Sequence, residues 1–131
     1  MIVLDASAVV EWLLQLPRAR QVAERLADLD EPLHAPHLID VEVAQVVRRL
    51  TSNGVVRAGR GAHALADLAD LDLERHPHDV LLPRVWRLRD NLTAYDATYV
   101  ALAEALDAPL VTLDARLATA PGHEARIDVV S

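Results

Sequence analysis

The sequence has no cysteine, which excludes disulfides, zinc–thiolate centres and thiol nucleophiles. It also has no lysine: all 13 of its basic residues are arginine. That removes a P-loop lysine, Schiff-base chemistry and the lysine of phospho-receiver sites. Phenylalanine is absent and aromatic residues make up only 3% of the chain, too few for a platform that stacks single-stranded bases. No apolar run approaches the roughly 20 residues that a membrane-spanning helix needs. The opening MIVLDASAVVEWLL has no basic leader and carries Asp5 and Glu11, so no secretory signal is expected. A soluble cytoplasmic protein is the expectation. Positive charge is short as well, with a formal net charge of −7. That argues against coating nucleic acid through basic surface alone. It leaves open a site whose acids hold divalent cations, because the cations reverse the local sign.

What is present is enough for one globular domain over residues 1–131, with 52% hydrophobic and 25% charged residues. Short apolar runs alternate with helical periodicity. IVL at 2–4 reads as a strand and SAVVEWLLQ as a helix. PRARQVAERLADL reads as a second helix with Pro17 near its first turn. LHAP, LERH, PLVTLD and RIDVV read as further strands. HLIDVEVAQVVRRL, RAGRGAHALADLADL, HDVLLPRVWRLRDN and TAYDATYVALAEAL read as helices, and ARLA as a single turn. Strands alternating with helices predict an α/β chain, a three-layer α/β/α sandwich around a mainly parallel sheet. In such sheets a site lies beyond the carboxyl ends of the strands, where strand order reverses.

Four acids stand in awkward places. Asp5 ends the first apolar strand and Asp114 ends PLVTLD in the same way, so in a parallel sheet both emerge at one edge. Either alone is also a good helix cap. Asp96 shares a helical stripe with Tyr99, Val100, Ala103 and Leu106, the pattern of a core-facing side. Thr93 and Asp96 also fit a capping box, which explains an acid in the first turn but not its alignment with the apolar face. Glu42 borders the arc of Ile39, Val43, Val46, Val47 and Leu50. Asp40 is free to cap that helix, which leaves Glu42 either pairing with an arginine such as Arg49 or serving a site. One arrangement accounts for all four: Asp5, Glu42, Asp96 and Asp114 converge on a hard divalent cation, Mg²⁺ or Mn²⁺. Such clusters handle phosphodiesters by orienting water, lowering its pKa and neutralising phosphate charge.

In order and spacing, MIVLDASAVVEWLL, the glutamate of PHLIDVEVAQVVRRL and NLTAYDATYVALAEALDAPLVTLDARLA resemble the PIN-domain nucleases. More narrowly they resemble the VapC toxins of bacterial toxin–antitoxin pairs. The match runs over nearly the whole chain, and YDATYVALAEAL followed by PLVTLD is its most specific block. The resemblance implies a PIN-like fold and a Mg²⁺- or Mn²⁺-dependent endoribonuclease that inhibits translation by cutting structured RNA such as tRNA or rRNA. It implies metal ligation by Asp5, Asp96 and Asp114, and a Glu42 that holds or orients water on the metal. Ser7 and Thr112 stand where the family often has hydroxyls beside the acids. Arg116 stands where some members carry a further acid, which puts a fifth acidic ligand in doubt and makes a phosphate contact available. Products with 5′-phosphate and 3′-hydroxyl ends, a cognate VapB-type antitoxin and a homodimer are implied too, with the apolar helices over 7–29 forming the antitoxin groove.

Two rivals stand beside it. A phosphatase with Asp5 as nucleophile normally wants an acid where Ser7 stands, and a lysine. A PIN-like module that binds without cutting normally loses one of the four acids. Of the remaining motifs, His76-Pro-His78 reads as a solvated loop, and Trp12 and Trp86 as core. The arginines at 48, 49, 57 and 60, and at 84, 87 and 89, are candidates to line an RNA groove.

Overall fold

The computed structural model describes all 131 residues. Five strands, β1 (Ile2–Leu4), β2 (Leu33–Pro36), β3 (Leu73–His76), β4 (Leu110–Thr112) and β5 (Ile127–Val129), form one sheet in the order β3-β2-β1-β4-β5. Every neighbouring pair is parallel. Every residue of β1 and β4 is buried, and all are apolar except Thr112 at the end of β4. Strands covered on both faces take that composition.

Seven helices cover the sheet: α1 (Ala6–Leu13), α2 (Ala19–Leu29), α3 (Leu38–Ser52), α4 (Ala58–Asp70), α5 (Leu82–Arg87), α6 (Ala94–Leu106) and α7 (Arg116–Thr119). The first four pack on one another, while α5 and α6 pack together and α6 lies against β1, β2 and β4. The result is the expected α/β/α sandwich. Side chains from all three layers meet in a single contiguous core that includes Ile2, Leu4, Val9, Ile39, Val43, Tyr99 and Val111. Gly61 costs helix propensity, and the packing shows its use. A Cβ there would stand 2.9 Å from Val47 Cγ1, so its absence lets α4 approach α3.

Pro17 stands near the first turn of α2, one residue ahead of Arg18, which takes the cap position. Two local expectations need correction. Asp40 does not cap α3. The helix starts at Leu38, which leaves Asp40 inside the first turn, where both carboxylate oxygens accept from Arg75 of β3 at 2.8 and 2.9 Å. Trp86 is not core: it is 67% exposed on α5, with the Arg89 guanidinium 4.5 Å above its ring. Its helix is a short one on the outer layer, so only Val85 turns inward. Trp12 is half-buried against the core.

Candidate active site

Strand order reverses between β1 and β4: the chain runs outward from β1 to β2 and β3, then returns to β4 and leaves to β5. Asp5 follows β1 and Asp114 lies two residues beyond β4, so both carboxylates flank the reversal point at the carboxyl edge. Asp5 is 8% exposed and caps α1, its Oδ1 accepting from Ala8 N–H at 3.0 Å. Capping and a site role therefore coexist in one side chain. Oδ1 also accepts from Ser7 Oγ at 2.6 Å, and Thr112 Oγ1 donates to Oδ2. The same two hydroxyls accept the backbone N–H groups of Leu113 and Asp114, each at 3.0 Å. Ser7 and Thr112 thus tie the ends of β1 and β4 together and fix the Asp5 carboxylate between them.

Asp96 enters from α6. Thr93 caps that helix by accepting from Asp96 N–H at 3.2 Å, and Asp96 remains half-buried at the start of the apolar stripe. Glu42 enters from α3, half-buried, and has no ion pair with Arg49 or any other cation. Burial raises the pKa of Asp5, Glu42 and Asp96 alike. Their neighbours then add to the shift. Asp96 acts on Asp5, both Asp5 and Asp96 act on Glu42, and Asp114 acts on Asp96. Asp5, Glu42 and Asp96 therefore feel one another beyond the strand ends, and Asp114 joins them through Asp96, although no three bring ligand oxygens within 4.8 Å of one another.

Asp114 differs from the other three. Arg116 forks onto it, with Nε 2.9 Å from Oδ1 and Nη2 2.6 Å from Oδ2. These bonds hold the Asp114 carboxyl below its ordinary range. Arg116 is otherwise solvent-exposed, so it can leave Asp114 without breaking buried contacts.

Tyr99 was legible in sequence only as part of the α6 stripe, and its hydroxyl is the feature that pattern missed. The residue is 1% exposed, and its hydroxyl has no hydrogen-bond partner. It lies beside Glu42 without hydrogen-bond geometry, and burial together with the charges of Glu42, Asp5 and Asp96 raises its pKa. A tyrosine three residues after an acid on one helical face was the available signal. Of the candidate groove arginines, three are committed elsewhere. Arg60 donates to Leu13 O at 2.8 Å, and Arg84 forks onto Glu104 at 2.8 and 2.9 Å. Arg89 donates to Trp86 O at 2.9 Å and lies over the Trp86 ring. Beside Ser7 and Asp114 an open groove of about 420 Å³ is lined by Val10, Leu16, Val46 and Leu50, with Glu11 and Arg18 among its polar groups.

The donor set suits a hard divalent cation. All four acids offer oxygen, no cysteine or histidine joins them, and three of them lack any cationic partner. The Tyr99 hydroxyl beside Glu42 is the one buried side-chain polar atom left without a partner.

A family model for the PIN domain matches residues 2–122. Ribonuclease VapC9 of Mycobacterium tuberculosis is 45% identical over 130 residues, covering 99% of this chain and 98% of that protein. Ribonuclease VapC12 of the same species is 40% identical over 131 residues, covering 100% of both. Among solved structures, VapBC2 from Rickettsia felis, bound to a DNA fragment from its promoter, aligns with a TM-score of 0.74 at 15% identity over 100% of both chains. VapC20 of M. tuberculosis, a toxin that cleaves the sarcin–ricin loop, aligns with a TM-score of 0.69 at 16% identity, over 96% of this chain and 99% of that one. At those identities the structural likenesses speak for the fold alone.

Proposed function

The chain belongs to the PIN-domain family and, within it, to the VapC ribonucleases, and from that premise we propose a Mg²⁺- or Mn²⁺-dependent endoribonuclease whose site is Asp5, Glu42, Asp96 and Asp114. The observation that carries this reading is the cleft at the strand reversal, where Asp5, Glu42 and Asp96 face one another with no arginine paired to any of them. Of the chain's 13 arginines only Arg116 reaches this site, where it forks onto Asp114, so the charge of Asp5, Glu42 and Asp96 is left for an external cation to balance.

Asp5, Asp96 and Asp114 would hold the cation, which supplies Lewis-acid charge neutralisation at the phosphate and a more acidic attacking water. The chain's own residues do the rest. Ser7 and Thr112 keep Asp5 in a fixed rotamer, so ligation costs little reorganisation. Glu42 is held above the ordinary carboxylate range by burial, which makes it a better proton acceptor for water attacking phosphorus. Water attacks phosphorus and gives its proton to Glu42, the P–O3′ bond breaks, and O3′ takes a proton from solvent, so the fragments end in 5′-phosphate and 3′-hydroxyl. Arg116 releases Asp114 and donates its fork to a phosphate oxygen of the substrate strand.

The substrate class follows the relatives: structured RNA of the translation machinery, cut so that translation stops. The scarcity of aromatics favours a grip through backbone and shape rather than base stacking. The partner is a VapB-type antitoxin, and the groove between α1 and α3 beside Asp114 fits a short apolar segment. Two such chains form a homodimer. No helix is long and apolar enough to cross a membrane, and the cytoplasm, where the RNA is, is the proposed location.

The test is cleavage of total RNA by the purified chain freed of antitoxin. Cutting that requires Mg²⁺ or Mn²⁺, stops with EDTA and is absent in Asp5→Asn and Asp96→Asn is the expected result. Undiminished metal-dependent cutting by Asp96→Asn would overturn the site assignment. Sequencing of the new 5′ ends identifies the RNA.

A further inference from the structure

The His76-Pro-His78 tract is not the solvated loop its sequence suggests. His76 is the last residue of β3, and its backbone carbonyl accepts from His37 N–H at 2.8 Å, which pins the strand end. Strand register sets His34 of β2 opposite Glu74, and Pro36 opposite His76. Side chains alternate along a strand, so His34, Glu74 and His76 share one face of the sheet. Arg75, between the last two, points to the other face, where it meets Asp40. His34 is 4% exposed, and its Nδ1 lies 2.8 Å from His76 Nε2 and 3.5 Å from Glu74 Oε2. All three ligand atoms lie within 4.8 Å of one another.

We propose that His34, Glu74 and His76 form a second cation site, distinct from the acid cleft, that takes one Zn²⁺-class ion across β2 and β3. The distances carry it. Tetrahedral zinc with bonds of about 2.0–2.1 Å sets neighbouring ligand atoms about 3.3 Å apart. The separations of 2.8 and 3.5 Å lie on either side of that value. A shift of roughly half an ångström by the His76 ring brings the His34–His76 pair to that value, and His76, only half-buried, has room to make it; the His76–Glu74 separation lies within 4.8 Å. The donors choose the metal: two imidazoles and one carboxylate suit zinc and its borderline neighbours, whereas the all-carboxylate cleft suits Mg²⁺ or Mn²⁺. Imidazole must be neutral to ligate, and burial lowers the pKa of His34 in that direction. The Glu74 side chain is 67% exposed, which gives the ion its way in and leaves a fourth position to water.

The ion replaces the proton that the two rings share and clips the edge strand β3 to β2 through side chains as well as backbone. Its role is to hold the sheet edge, so its signature is spectroscopic and thermal rather than catalytic. The probe is Co²⁺, titrated into the full chain carrying Asp5→Asn and Asp96→Asn so that the cleft is silenced. One equivalent should bind with the intense visible absorption of a four-coordinate, nitrogen-ligated ion. Zn²⁺ should displace it and raise the Tm, and excess Mg²⁺ should do neither. Adding His76→Gln or Glu74→Gln, at positions exposed enough to keep the fold, should abolish or sharply weaken the band and the Tm shift. A band and shift unchanged in His76→Gln would overturn the site. So would the absence of both in the parent, which would leave the histidines a hydrogen-bonded pair only.

Discussion

Glu104 and Glu42 each project from a helix packed in the body of the fold, and the chain treats them oppositely. Glu104, on α6, accepts a fork from Arg84 and the backbone N–H of Glu124 at 2.9 Å, and its pKa is lowered chiefly by Arg84. Glu42, on α3, has no cation, and burial raises its pKa. Asp40, two residues before it, is paired with Arg75. Arginine is therefore spent on acids that hold elements together and withheld from acids that face the cleft. Asp114 is the intermediate case, with an arginine that is itself exposed and free to leave. An unpaired, half-buried acid is tolerable only where something else brings the charge.

The sharpest way to break this contrast is to neutralise one unpaired acid. Asp96→Asn should reduce RNA cleavage by about 100-fold or more, while its Tm without divalent cations stays at or above that of the parent, since like-charge repulsion is removed. A Tm well below the parent's would mean that Asp96 is a structural acid after all. Thr112→Val keeps shape but takes away the donor to Asp5 Oδ2. Cleavage or metal affinity should fall by roughly 10- to 100-fold, measured as kcat and as the Mg²⁺ concentration at half-maximal rate.

On the paired side, Arg84→Met should destabilise the fold by roughly 1–3 kcal/mol and leave the cleavage rate of the folded fraction unchanged. Denaturant unfolding across pH checks the sign. The folded pKa of Glu104 lies below its unfolded value. The contribution of the pair is thus present above the unfolded value, near 4.5, and is lost as pH falls through the folded one. The gap between parent and Arg84→Met should close towards acid pH; a gap independent of pH would deny the ion pair its role. Smallest of all, Trp86→Ala should change stability by no more than about 0.5 kcal/mol, because the ring is exposed and its partner is a surface arginine.

Much of this was legible beforehand because the signals are local. Apolar runs ending in an acid mark buried strands that reach the surface at their carboxyl ends, so β1 with Asp5 and β4 with Asp114 followed directly. The Asp96 stripe followed from helical period. What misled was also local reasoning. Asp40 looked like a cap because nothing nearby in sequence competed for it, whereas its partner Arg75 lies 35 residues away. Trp86 looked like core because aromatics usually are, and no one-dimensional pattern shows that α5 sits on the outer layer. The His76 tract looked like loop because its partner His34 arrives by strand register, 42 residues distant.

By itself, then, the sequence determined the class of fold and the family, and it singled out the four acids proposed as the site. Periodicity, apolar runs and motif spacing are properties of neighbouring residues, and a single chain displays them. Only the tertiary structure decided which acids are matched by arginine and which are left facing a cleft. It also decided that the Tyr99 hydroxyl is stranded beside Glu42, and that two histidines and a glutamate meet on one face of β2 and β3. Those are matters of pairing across tens of residues, and they depend on register, layer and burial, which exist only once the sheet has formed.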